Sequence, residues 1–95
     1  MSLPLQSKFW TNEITDDALV ITENMGVKAV SVLNRSAVAG SILGSETLAG
    51  VGPSAAISVA ENQSITITVD STANALSGLT ITAPAGCTLQ VIVEL

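Results

Sequence analysis

The feature that most constrains the fold of this chain is a period of two in its apolar residues. From Ser64 to Val69 every second residue is a branched apolar one, and the residues between carry hydroxyl groups. Successive side chains of a β-strand point to opposite faces, so this pattern predicts a strand with one buried and one solvated face. The same alternation runs through residues 79–83 and 87–95. A helix would need apolar residues three and four positions apart, and no segment sustains that spacing.

Shorter or less regular runs predict the remaining strands, and Val, Ile and Thr together supply 28 of the 95 residues, which suits pleated surfaces. Breakers rich in Gly, Pro and Asn separate the runs and predict turns. Strands of this length and spacing predict an all-β fold, a small antiparallel β-sandwich (jelly-roll or Ig-like) of about seven or eight short strands. Closure of the sheets into a barrel stays an open alternative. The additional strands are predicted at 19–22, 27–33 and 56–60, and the turns at 24–26, 50–53, 61–63, 74–78 and 84–86.

The length of 95 residues allows one domain, which we predict to span residues 13–95 after an N-terminal arm of residues 1–12. Pro4 blocks ladder pairing in the arm. Many of the bulky apolar side chains of the protein lie in the arm. One interpretation is that the arm docks onto a neighbouring subunit. Trp is enriched at binding hot spots, which favours that interpretation. The other interpretation is that the aromatic pair caps one end of the sandwich. The predicted partner-binding residues are Leu3, Leu5, Phe9 and Trp10.

The C-terminal stretch Thr88 to Leu95 is a long apolar strand with one charged residue, Glu94. An exposed strand of this kind would template aggregation. It is therefore predicted to be central in the sheet, with pairing to another chain as the alternative.

Charge and chemistry exclude most functional classes. Three basic residues against eight acidic ones give a net charge of −5, which disfavours binding to nucleic acid or to an anionic membrane surface. The chain has no His, so Ser-His-Asp hydrolysis and imidazole metal sites are not possible. The single cysteine, Cys87, forms no intrachain disulfide and is predicted to be a small buried hydrophobe on the strand face of Leu89. We predict no enzyme, no catalytic, cofactor-binding or metal-binding residues, and no cofactor.

The densest carboxylate group consists of Glu13, Asp16, Asp17 and Glu23. Calcium binds six to eight oxygens, so a weak cation site is one interpretation, although the spacing matches no EF-hand loop. The favoured interpretation is that Asp16 and Asp17 form a solvated turn between two strands.

The glycines at 40, 44, 50 and 52 match no phosphate-binding pattern. They are interpreted as tight turns or as positions where strands approach closely.

The order of several stretches carries a resemblance. The first stretches are 27–34 and 39–42, followed by a loop and then 56–59. The last stretches are 61–67 and 76–87, which contain the motifs Ser-Ile-Thr-Ile and Leu-Ser-Gly-Leu-Thr-Ile in that order. This layout resembles small virion proteins of tailed bacteriophages, such as capsid decoration or auxiliary proteins and head-fibre bases. Such families commonly have Gly where Asn62 stands.

The resemblance implies a non-enzymatic structural protein that decorates and stabilises the capsid exterior through subunit contacts. Its implied partners are the major capsid protein or other virion proteins and further copies of itself, with a trimer as the working assumption. The implied location is the virion, after synthesis in the host cytoplasm without a signal peptide. Two alternatives stay open: a carbohydrate- or receptor-binding module of a fibre or appendage, and a tail or neck component.

Overall fold

The computed structural model describes residues 8–44, 49–53, 55–69 and 75–95. Within these ranges, six β-strands form one antiparallel sheet that curls into a half-barrel, and a single turn of 3₁₀ helix covers Glu23–Met25. The prediction of an all-β antiparallel fold is confirmed. The strands are β1 (Phe9–Ile21), β2 (Ala29–Asn34), β3 (Gly40–Gly44), β4 (Ile57–Val59), β5 (Ser64–Thr68) and β6 (Leu79–Glu94).

Strand β6 is the centre of the sheet. One of its edges pairs with β1 along almost the whole length of both strands. Its other edge pairs first with β3 and then with β2. Strand β4 extends the sheet beyond β3, and β5 extends it beyond β2. The prediction that the C-terminal strand is central is therefore confirmed, and the β1–β6 pair is shared by two halves of the sheet.

The two halves meet at a corner where β1 and β6 both bend. Thr15 pairs with Thr88 and Asp17 pairs with Ala83, so Asp16 alone faces residues 84–87. Asp16 has a φ of 51°, and within the facing segment Gly86 has a φ of 83°. Irregularities of this kind bend strands and carry them from one sheet into the next.

This corner corrects two predicted turns. Residues 84–86 do not separate two strands, because β6 continues through them from Leu79 to Glu94. Pro84 is tolerated because the ladder is interrupted there and needs no N–H donor. The predicted turn at Asp16 and Asp17 is likewise a bulge inside the continuous strand β1. The predicted strands 79–83 and 87–95 are one strand in the structure. This is one reason why the described ranges contain six strands, where seven or eight were expected.

The bulge also explains why the alternation in β1 is irregular. Before it, even-numbered residues such as Ile14 face inward, opposite Leu89. After it, odd-numbered residues such as Ile21 face inward, because the extra residue shifts the side-chain parity by one.

The core lies on the concave face of the half-barrel. Gly40 of β3 brings the two halves close together: a Cβ atom at this position would lie 2.7 Å from a methyl carbon of Leu89. The interpretation of Gly40 as a position of close strand approach is confirmed. The buried apolar cluster consists of Ile14, Ile21, Val27, Val30, Val32, Ile42, Val59, Ile81, Ala83, Cys87, Leu89, Val91 and Val93.

Candidate functional site

The most distinctive surface is an apolar groove at one end of the half-barrel. Its volume is about 300 Å³. Its floor is buried core, formed by residues such as Ile21, Val27 and Val93. Its rim consists of Trp10, Met25 and Leu95, each of which exposes at least 39% of its surface. The groove is lined by Trp10, Leu19, Ile21, Met25, Val27, Val93 and Leu95.

Backbone hydrogen bonds hold the segments around the groove in place. After β1 the chain makes the 3₁₀ turn, and Gly26 ends it with a φ of 68°, which suits a residue without a Cβ atom. Val27 then reaches the groove floor, and its carbonyl accepts a bond from the Leu76 N–H at 2.7 Å. The next residue, Lys28, donates its N–H to the Glu94 carbonyl at 2.7 Å. Because these backbone groups are paired, the groove is a formed feature of the fold.

The structure separates the four predicted partner-binding residues. Phe9 and Trp10 both lie in β1, where they pair with Glu94 and Val93. Trp10 faces the groove, whereas Phe9 lies on the convex face and is 64% exposed. Residues 9–12, which the sequence analysis assigns to the arm, are thus strand residues in the structure. Leu3 and Leu5 lie outside the described residues.

A second depression crosses the convex face of the sheet and is mainly polar. This trough has a volume of about 520 Å³ and offers hydroxyl and carboxamide groups, with Glu13 as its charged member. None of its lining residues is aromatic. The trough is lined by Thr11, Asn12, Glu13, Ser31, Leu33, Ser64, Gln90, Val91 and Ile92.

At the opposite end of β2 from the groove lies a buried polar side chain, Asn34, which is fully inaccessible to solvent. Its Nδ2 donates to the carbonyls of Val38 and Val59, both at 2.8 Å. Its Oδ1 accepts from the backbone N–H of Ser36 at 2.8 Å and from the Ser36 hydroxyl at 2.6 Å. The amide is therefore fully hydrogen-bonded, as burial of a carboxamide requires.

This Asn34 node connects several strands. The Ser36 hydroxyl accepts a bond from the Thr88 N–H in β6 at 3.0 Å. The backbone N–H of Asn34 donates to Gln63 at 3.0 Å, and its carbonyl accepts from Asn62 at 2.6 Å. Asn34 is not among the residues that the sequence patterns single out. The available signal was its parity, since Val30, Val32 and Asn34 share the inward face of β2.

The acidic residues form no metal site in the parts of the chain that the structure describes. No group of three or more His, Cys, Asp or Glu side chains lies close enough to hold an ion there. Asp17 instead accepts a bond from the N–H of its neighbour Ala18 at 2.8 Å. Glu13, Asp16 and Asp17 all lie on β1, whose one partner among the described residues is β6. Charges and a bulge on such an edge discourage unwanted strand pairing.

Cys87 is a free thiol inside the core and is fully inaccessible, as predicted for a small buried hydrophobe. No helix within the described ranges is long and apolar enough to cross a membrane. Comparisons with protein-family models, with curated proteins and with solved structures found no match.

Proposed function

We propose that this chain is a non-enzymatic structural protein of a bacteriophage virion, which decorates and stabilises the capsid exterior through contacts between subunits. The observation that carries the assembly part of this proposal is the apolar groove with its exposed rim of Trp10, Met25 and Leu95. Contiguous exposed apolar surface marks interaction sites, and a partly exposed Trp is a frequent anchor of such contacts.

The open half-barrel supports a role in association. Buried core residues fill the concave face of the half-barrel along most of its length. The face is open at the groove, where buried and exposed apolar residues meet. Covering this end with a neighbouring subunit removes apolar surface from water, which is the main driving force of association. In this proposal, neighbouring copies together complete the sandwich-like core that is expected from the sequence. They form a closed homo-oligomer, for which a trimer is the working assumption.

The virion part of the proposal depends on the resemblance. Its stretches overlap β2 to β5 and the first half of β6, so they contain much of the framework of the sheet. Asn62, where such families commonly have Gly, has a φ of 63°, a conformation that Gly adopts most easily.

The polar trough favours one alternative, a carbohydrate-binding module, because hydroxyl and carboxamide groups bond well to sugars. Sugar sites also use an aromatic platform, and the one Trp lies in the groove and not in the trough. A glycan array with the wild-type protein and the Trp10→Ala variant separates the two functions. Specific glycan binding by the wild-type protein would replace the proposal with this alternative, and its loss or survival in Trp10→Ala would assign the sugar site to the groove or to the trough.

The direct test is immunogold labelling of gradient-purified phage particles from the source culture, with an antibody against the purified protein. We expect gold on the outside of the heads and the chain among the particle proteins identified by mass spectrometry. Labelling of tails or necks would place the chain in those structures instead. Particles without the chain would overturn the virion assignment.

A further inference from the structure

We propose that the apolar groove is the receptor for residues 1–7 of a second copy of this chain, with Leu3 and Leu5 packed on its floor. The proposal rests on the assembly role proposed above and names its partner and its contact surface. Three observations carry it: the direction in which β1 enters the sheet, the chemistry of residues 1–7, and the shape of the groove.

The first observation is the direction of the chain. The Leu95 N–H donates to the Lys8 carbonyl at 2.8 Å, so Lys8 is still held in the register of the β1–β6 pair. A segment that continues this direction leaves the end of the sheet. Seven extended residues span at most roughly 25 Å, which is enough to reach a neighbouring molecule.

Residues 1–7 lie outside the described residues, and the disulfide experiment below distinguishes docking on a second molecule from docking of the segment in its own groove.

The second observation is the composition of the segment. Residues 1–7 contain no charged side chain, in a chain with a net charge of −5. Pro4 restricts Leu3 to extended conformations and adds no N–H group that would need a partner in an apolar site. In an extended segment Leu3 and Leu5 lie on the same side, roughly 7 Å apart.

The third observation is the groove itself. The seven described side chains that line it are apolar apart from the indole N–H of Trp10, so it suits an apolar ligand better than a charged one. Its volume of about 300 Å³ is at the small end of the range for binding pockets, which suits two aliphatic side chains better than a folded domain.

Disulfide trapping between two single-cysteine variants tests the contact. A Leu3→Cys variant is mixed with an equal amount of a Met25→Cys variant under oxidised glutathione, and the mixed dimer is measured by mass spectrometry. The natural Cys87 does not interfere because it is fully buried. The control replaces Met25→Cys by Val20→Cys, which lies on β1, is also exposed and does not line the groove.

We expect the Leu3–Met25 disulfide to form at least about tenfold faster than the Leu3–Val20 disulfide. Equal rates would overturn the proposal. So would a Leu3→Cys/Met25→Cys double variant that closes its disulfide within one chain while the mixed variants do not react, because the segment would then occupy its own groove.

A Leu3→Ser/Leu5→Ser variant gives an independent measurement by light scattering after size exclusion. Exposing two leucine side chains weakens association by at least about 100-fold. The thermal midpoint of the same variant, measured alongside, shows whether folding of the monomer is affected as well. An unchanged oligomer mass at every concentration would contradict the proposal. Particle labelling stays an independent result: a trapped disulfide without labelled virions refutes only the virion role, and labelled virions without a trapped disulfide refute only the arm contact.

Discussion

The two ends of β2 differ in how the interior of the half-barrel is covered. At its C-terminal end, Asn34 fills the interior with a polar side chain whose donors and acceptors are all used. Near its N-terminal end, Val27 leads into a groove that is apolar and open. Directional hydrogen bonds complete the first end within one chain. The second end has only apolar surface, which any complementary apolar partner can cover.

The comparison teaches that stability and association are located in different parts of this protein. Changes at the Asn34 node remove hydrogen bonds from buried polar groups, so they lower the free energy of unfolding. Changes at the groove alter surface that is already partly exposed, so we expect them to affect association more than folding.

The largest effect is expected for Asn34→Leu, which keeps a similar volume but removes both the donor and the acceptor. The carbonyls of Val38 and Val59 and the N–H of Ser36 each lose their bond to Asn34, and the Val38 carbonyl keeps only the longer bond from the Ser36 hydroxyl at 3.2 Å. We expect a loss of about 4 kcal/mol in the free energy of unfolding, measured by urea denaturation.

Two variants control this prediction. Asn12→Ala removes an exposed amide that accepts one local bond from Glu13, and it should cost less than about 0.5 kcal/mol. If Asn34→Leu does not fold, Ser36→Ala still tests the node, with an expected loss of about 1.5 kcal/mol. Losses below about 0.5 kcal/mol for both node variants would show that the network does not stabilise this end.

Next in size is Gly40→Ala, which tests the contact between the two halves of the sheet. The added methyl group would lie 2.7 Å from the buried side chain of Leu89, so the core must shift. We expect a loss of about 2 kcal/mol by chemical denaturation.

Gly44→Ala is the matched control because it lies on the same strand, and apart from its chain neighbours no described atom lies within 4 Å of the new methyl group. It should be neutral or slightly stabilising. A shorter side chain at position 89 leaves room for the new methyl group. Gly40→Ala should therefore lower the free energy of unfolding less in a Leu89→Val background. Equal costs for the two glycine variants would contradict the close approach of the halves.

At the groove, Trp10→Ala should lower the free energy of unfolding by about 1.5 kcal/mol, less than a fully buried Trp would, because 39% of its surface is already exposed. The same variant should reduce the oligomer mass in light scattering. Phe9→Ala, its neighbour on the convex face, should change both quantities little. A larger effect of Phe9→Ala on oligomer mass would move the contact surface from the groove to the convex face.

The smallest effect is expected for Gly26→Ala, beside the groove. The φ of 68° is unfavourable for a residue with a Cβ atom, but apart from the chain neighbours no described atom lies within 4 Å of the new methyl group. Backbone strain alone should cost about 1 kcal/mol in thermal denaturation. Gly26→Asn should cost less, because Asn tolerates this conformation better. A loss for Asn equal to or above that for Ala would show that strain is not the cause.

The strands with the most regular alternation of apolar and polar residues were predicted most accurately from the sequence. Strand β5 was predicted at 64–69 and is observed at Ser64–Thr68. The alternation in 87–95 places Cys87, Leu89, Val91, Val93 and Leu95 on one face, and all of them are buried except Leu95, which is 45% exposed. In β1 the prediction covered only residues 19–22, because the bulge at Asp16 shifts the parity in the middle of the strand. A periodicity search cannot detect one strand whose two halves bury opposite parities.

The candidate site was predicted less completely. Trp10 was identified as a contact residue from its type, and the structure places it at the groove. Its neighbours Leu19, Met25 and Leu95 carry no signal of their own, because each is an ordinary apolar residue in a strand or turn. Asn34 was missed because its partners come from segments that lie far apart in the sequence.

The amino-acid sequence by itself determined that this protein is all-β and which face of its regular strands is buried, because side-chain alternation is a local property of an extended chain. Only the tertiary structure decided that 79–94 is one bent strand, that Asn34 is fully bonded and that the concave face opens at Trp10. These features depend on pairing between distant segments, such as Phe9 with Glu94. The register of such pairs is set by how well the whole core packs, and no local pattern contains that information.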